Sequence, residues 1–216
     1  MGASTRPSFE EGTETIFGWV QEHWRPIMGG AVVIAALAGG FALYERNEAQ
    51  KAARGDRALL DAQRAALSGN LPLAQSDLEK VRVRYDGTPA ADRAAVTLAQ
   101  VLYDQGKYAE GVKALEPVTS SKTVAASAEA LLATGLEEQS KFKEAAEHYK
   151  KAAAAALFAV DKANFMASAA RAYARGGDTA SAKTIWTDLA SDPEGPVAGE
   201  ARVRLGELTV VPATKS

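Results

Sequence analysis

The chain of 216 residues has no cysteine and only two histidines, and its 25 Lys+Arg nearly balance 27 Asp+Glu. Without cysteine there is no disulfide framework, no thiol nucleophile and no thiolate metal ligand, and the redox compartment stays open. His23 and His148 stand far apart with no paired-histidine or HExxH spacing, so no metal site and no cofactor is expected. A near-neutral balance and a pI of about 5.8 supply no basic field, which argues against nucleic acid as a partner. Catalytic signatures are also missing. Gly177 to Thr184 resembles a phosphate-binding loop, but it is one glycine short, no strand precedes it, and Ala182 fits a helix-packing position better. No GxSxG motif occurs. The chain is therefore read as a non-enzyme with no small-molecule substrate.

Charge is entirely absent from Pro26 to Tyr44, a run of 19 residues. As a helix this run is roughly 28 Å long, close to the hydrocarbon thickness of a bilayer. Trp19, Trp24 and Arg25 flank one end, and Tyr44, Glu45 and Arg46 the other, as expected where a spanning helix meets headgroups. A cleaved signal peptide would open on a short basic region, whereas four acidic and two basic residues precede this late apolar run. An uncleaved anchor in the lipid bilayer is expected. Ala31, Ala35 and Gly39 recur every fourth residue and form a face on which another membrane helix could pack closely. Two basic residues precede the run and five lie among the twenty that follow. By the positive-inside rule that count places the C-terminal part in the cytoplasm.

After Tyr44 no run of alternating β-branched or aromatic residues appears, and apolar positions fall at helical spacing, so the remainder is expected to be all-α. Breakers at Gly69-Asn70, Asp86 to Pro89, Gln105-Gly106, Thr119 to Ser121, Gly176 to Asp178 and Ser191 to Pro193 divide it into short helices. Thr88 before Pro89 reads as an N-cap followed by proline in the first turn. An internal repeat emerges. Leu98-Ala99-x-x-Leu102 with Gly111-x-x-x-Leu115 returns 34 residues later as Leu132-Ala133-x-x-Leu136 with Ala145-x-x-x-Tyr149. It returns again as Ala169-Ala170-x-x-Tyr173 with Ala182-x-x-x-Trp186. A weaker early copy holds Ala62, Ala74 and Leu78, and a last half-copy is Leu205-Gly206. Such a pattern lets two antiparallel helices meet at small residues while a large one fills the space beside the contact.

These residues resemble the tetratricopeptide repeat, although Ala95 and Glu129 stand where that family prefers tryptophan. The expected fold is all-α, an N-terminal transmembrane helix followed by a tetratricopeptide-repeat α-solenoid. Its parts are an extramembrane stub (1–25), the spanning helix (26–44), a helical neck (45–54), about four repeats (55–193), a capping helix (194–208) and a disordered tail (209–216). The resemblance implies a concave groove lined by the first helix of each pair. By repeat geometry its partner-binding residues are Arg93, Gln100 and Tyr103, then Thr134 and Glu137, then Asn164, Arg171 and Arg175.

The complete order of stub, spanning helix, neck and repeats is similar to the YfgM-type ancillary subunits of the bacterial Sec translocon, with the best matching stretches at Tyr85 to Glu110 and Gly177 to Trp186. That likeness implies a single-pass inner-membrane protein with a periplasmic repeat domain linking the translocon to chaperones. It conflicts with the basic residues after the helix, so a cytoplasmic repeat domain remains open. The alternative function is a structural accessory subunit of another membrane complex, respiratory or photosynthetic.

Overall fold

The computed structural model describes the backbone of residues 9–209 and the side chains of Trp24, residues 28–30 and residues 34–209. The Ala31 side chain and the tail from residue 210 lie outside the described residues. The elements are α1 (Phe9–Leu67), α2 (Leu71–Arg84), α3 (Pro89–Asp104), α4 (Tyr108–Leu115) with a 3-10 turn (Glu116–Val118), α5 (Ala125–Glu138), α6 (Phe142–Ala155), α7 (Ala159–Arg175), α8 (Thr179–Ser191) and α9 (Ala198–Thr209). No strand occurs among the described residues. The chain divides into two compact units, Met1–Gln50 and Lys51–Ser216.

Local chemistry explains most helix ends. Asn70, Thr88 and Asp178 accept hydrogen bonds from the backbone N–H groups of Leu73, Ala91 and Ser181 at 3.3, 3.3 and 3.0 Å, so each cap satisfies an orphan donor of the first turn. Gly69, Gly87, Gly106 and Gly177 take φ between 74° and 80°, the left-handed region where a Cβ is disfavoured. Two further breaks separate α5 from α6 and α6 from α7, and neither carries a glycine or a proline. The first turns at Ser140 with φ 61°, and the second passes through Ala156 and Phe158 in extended conformation. The absence of a punctuating residue hides both breaks from a reading based on Gly and Pro.

In the first unit, the apolar part of α1 is long and apolar enough to cross a membrane, by length and composition. None of its apolar window is buried by the protein. Ile34, Leu37, Phe41 and Leu43 are 62–69% exposed, and Ala35 and Gly39 are exposed with them.

In the second unit, residues 51–67 of α1 pair with α2, and the pairs α3/α4, α5/α6 and α7/α8 follow, with α9 against α8. The small residues at the pair contacts, Ala62 and Ala74, Ala99, Ala133 and Ala145, Ala170 and Ala182, have no accessible surface, and Gly111 opposite Ala99 is buried. Leu78, Leu115, Tyr149 and Trp186 fill the adjoining space, each 8% exposed or less. One face of α3 (Ala94, Leu98, Val101, Leu102) joins the core of the preceding pair, and the other (Ala95, Ala99) joins the core that continues to α9. Each pair thus buries its faces on both neighbours, the one-dimensional logic of a solenoid.

Between the second and third pairs the lock is aromatic. A Cβ added at Gly111 or Gly135 would overlap the Tyr103 ring, and Tyr103 Oη donates to Leu131 O at 3.1 Å. Glycine at both positions admits the ring. Glu129, at the position where tryptophan is usual, is 7% exposed, and His148 Nδ1 lies 2.5 Å from its Oε2. A buried carboxylate is tolerated there because α6 supplies its partner. One expectation of register fails at the end. Gly206 is exposed with open space around it, while Ala198 and Ala201 carry the small-residue contact of α9. Only a close helix crossing requires a small residue, and Gly206 makes none with the described residues.

Ala145→Trp places an indole where no space exists and should lower stability by about 1–3 kcal/mol, the usual cost of overpacking. Gly135→Ala should cost about as much, with Tyr103→Ala relieving part of the loss, a coupling that neighbours sharing one space display. Denaturant midpoints of the four proteins check both statements, and an unchanged midpoint for Ala145→Trp would remove the repeat register.

Candidate functional site

The residues expected in the groove all lie on the first helices of the pairs, and the structure commits most of them to neighbours. Arg93 Nη2 lies 2.5 Å from Asp56 Oδ1, joining α3 to α1, with both side chains about half exposed (50% and 54%). Such an open pair contributes on the order of 0–1 kcal/mol. Gln100 is exposed one helical turn below Thr97, which accepts from Gln63 Nε2 at 3.5 Å. Tyr103 is half-buried by its packing role, and burial pushes its phenol above the ordinary range.

The third and fourth pairs carry a connected set. Thr134 Oγ1 lies 3.2 Å from Tyr149 Oη, which donates to Glu137 Oε2 at 3.0 Å, and Arg175 Nη1 donates to Glu137 Oε1 at 2.9 Å. The Arg175 guanidinium also lies 4.7 Å from the centroid of the Phe142 ring. Burial, aided by Glu137, raises the Tyr149 phenol and keeps it a neutral donor. Arg171 donates to Glu200 at 2.6 Å and to Ser168 Oγ at 3.0 Å, carrying the same stitching to α9. Asn164 is exposed, and its backbone carbonyl accepts from Ser168 Oγ.

Two cavities open at the two ends of this face. The first, about 340 Å³, lies between α1 and α3, where Gln63, Thr97, Gln100 and Asp104 surround an apolar floor of Ala66, Leu71 and Val101. The second, about 250 Å³, lies between α7 and α9, with Trp186, Ala174 and Leu208 as its floor and Arg171, Arg175 and Arg204 at its rim. Arg204 Nε is shielded from solvent without a hydrogen-bond partner, its nearest carboxylate being Glu200 Oε1 at 3.7 Å. Among the described residues no group of three or more His, Asp or Glu is placed to hold a metal ion.

The sequence profile of the tetratricopeptide repeat-like domain matches residues 18–161, two thirds of the chain. The chain belongs to this family. No curated protein matches the sequence. Among solved structures, nearly identical TPR-like repeats assigned to a Podospora anserina kinesin light chain superimpose with a TM-score of 0.56 at 18% identity, over 72% of this chain and 85% of that one. A single-substitution variant of the same protein gives the same score and identity over 72% and 84%. At this identity the likeness is one of fold.

The tetratricopeptide-repeat fold is typically a non-enzymatic protein-interaction scaffold. Sequence reasoning placed the two arginines of the second cavity but passed over Trp186, which it read as packing bulk, and Arg204 and Glu207. The signal available for the last two was their three-residue spacing on one face of the capping helix.

Acid sensitivity follows from the ties between α6, α7 and α8. A hydrogen bond from Tyr173, then Lys150, lowers the Glu147 carboxyl, and the backbone N–H and hydroxyl of Ser181 lower Asp178. Burial and Glu147 push Tyr173 up to about 12, so it remains a donor throughout neutral pH. Carboxyls lowered in the folded state stabilise it fully above their unfolded pKa values, roughly 4, and that stability disappears as pH falls through the folded values. Urea midpoints measured between pH 6 and roughly pH 3 should fall in the parent, and Tyr173→Phe should flatten that slope.

Proposed function

We propose that this protein is a membrane-anchored protein-interaction scaffold, and that it serves as an ancillary subunit of the Sec translocon with its repeats on the periplasmic side. The observation that carries the anchored-scaffold reading is the joint occurrence of two features in one family match. The profile of residues 18–161 takes in both the uncharged run and the first repeats. An apolar helix whose side chains find no cover within the protein calls for lipid or for another membrane helix. The repeat face calls for a polypeptide. Tethering the second by the first raises the local concentration of a bound segment near the membrane, so weak contacts suffice.

On this reading the partner-facing groups are the polar side chains at the two cavities and along the face between them, tied or untied. Gln100, Asn164 and the first cavity would receive one part of a partner segment. Arg171, Arg175 and Arg204 would receive another, with a bulky side chain over Trp186 and Leu208. Ala35 and Gly39, continued by Ala31, would form the lateral contact in the bilayer, since small side chains allow close backbone approach there.

A C-terminally tagged chain, gently solubilised from bacterial membranes, should co-purify with Sec components at substoichiometric ratio, and protease added from the periplasmic side should remove the tag. A fixed-ratio complex with other membrane proteins and a protected tag would replace this reading with that of a structural accessory subunit facing the cytoplasm. Replacing Ala35 and Gly39 together by leucine should leave insertion intact and reduce co-purification of the bilayer partner about tenfold, the factor that a loss of ~1.4 kcal/mol of helix packing produces. Quantitative mass spectrometry of the eluates reads the change, and undiminished recovery would exclude that face as the contact.

A further inference from the structure

The first helices of successive pairs run in the same direction. Lys51 Nζ donates to Asp86 O at 2.7 Å, Asp56 meets Arg93 and Gln63 meets Thr97, so residue numbers rise together along α1 and α3. Asp92 accepts from Ser121 Oγ at 2.6 Å and Tyr103 donates to Leu131 O, which gives the same sense for α3 and α5. Val124 and Ser127 share a cavity with Phe158 and Phe165, and Glu137 meets Arg175, so α7 follows suit. The segments that precede α3, α5 and α7 therefore lie along one edge of the repeat unit, the edge at which the chain enters at Lys51.

On that edge the α6–α7 connection presents Leu157 at 92% exposure and Phe158 at 68%, the former being the most exposed large apolar side chain among the described residues. Phe158 occupies the N-cap of α7 and provides no side-chain hydrogen bond there. A Ser, Asp or Asn at this position would satisfy an orphan backbone donor, so phenylalanine gives up a cap while most of its ring stays exposed. Lys122 and Asp161 line the cavity beside the pair, Lys162 stands exposed one turn further along α7, and Asp92 is held by Ser121 and Thr123. Two adjacent bulky exposed apolar side chains with two exposed lysines in the neighbouring segments have the composition of an interfacial lipid contact.

We infer that the Leu157–Phe158 loop inserts into the headgroup region of the bilayer that holds residues 26–44, giving the repeat unit a second point of membrane attachment. The inference rests on the membrane-anchor reading. Lys51 is seven residues from Tyr44, a path of about 10 Å as helix and at most about 25 Å fully extended. A tether of that length keeps the repeat unit near the lipid surface, so its apolar loop meets lipid at high effective concentration. Anionic headgroups attract Lys122 and Lys162 over the same short range. Attachment at two points would fix the orientation of the interaction face to the membrane.

The cysteine-free chain permits single spin labels without further substitution. Leu37→Cys, Phe158→Cys and Lys143→Cys, the last at the opposite edge of the unit, are labelled in the full chain and reconstituted in vesicles of equimolar phosphatidylcholine and phosphatidylglycerol. Collision with molecular oxygen, which concentrates in lipid, is compared with collision with a water-soluble nickel chelate. The oxygen-to-nickel ratio at residue 158 should exceed that at residue 143 by about threefold or more and approach the value at residue 37, as for a side chain below the headgroups. Ala156→Cys, which keeps both apolar side chains, should give the same pattern, and adding Leu157→Glu and Phe158→Glu should abolish it. If residue 37 is in lipid while residue 158 matches residue 143, the loop contact is overturned and the anchor stands. Shielding of residue 158 from both reagents marks a protein contact or a second copy and also overturns it. Free access of nickel to residue 37 would remove the anchor reading itself, and the loop contact with it.

Discussion

The repeat unit depends on how closely two helix backbones approach at each pair contact. Ala62 with Ala74, Ala99 with Gly111, Ala133 with Ala145 and Ala170 with Ala182 occupy those crossings, and nothing larger than a methyl group fits. The approach creates a gap alongside, and a leucine, tyrosine or tryptophan four residues further fills it. The same closeness aligns the first helices side by side, so their outward polar groups reach across to one another. Fold, interaction face and loop edge all descend from this one steric condition.

Cross-ties between adjacent first helices neutralise much of the interaction face. Arg93 is held by Asp56, Arg175 by Glu137 and Arg171 by Glu200, and Tyr149 links Thr134 to Glu137. The Arg93–Asp56 tie is open enough to contribute little to stability, whereas Glu137 and Tyr149 are largely buried, and together the ties fix the side chains in place. Cavities remain where the stitching ends, one between α1 and α3 and one between α7 and α9, with the Arg204 guanidinium at the rim of the second.

Residues 28–44 pose the opposite physical problem. Within α1 the backbone is satisfied internally, yet Ile34, Leu37, Phe41 and Leu43 present their area to the surroundings rather than to a core. Helix formation and burial are separate requirements here, and only an external apolar medium or partner meets the second.

The sequence by itself determined the helical class, the repeat period and the identity of the small and large packing residues, because these depend on spacing along a helix of fixed pitch. It also marked every helix end that glycine, proline or a capping side chain punctuates. Ser140 and the stretch from Ala156 to Phe158 escaped because no glycine, proline or capping side chain marks them. The tertiary structure alone decided which polar groups face each other. Glu129 finds His148, Tyr103 wedges between Gly111 and Gly135, and the arginines expected to await a partner are already paired. Such pairings join residues 8 to 38 positions apart, and their distances follow from the packing of one helix on the next, a quantity that no short pattern in the chain encodes.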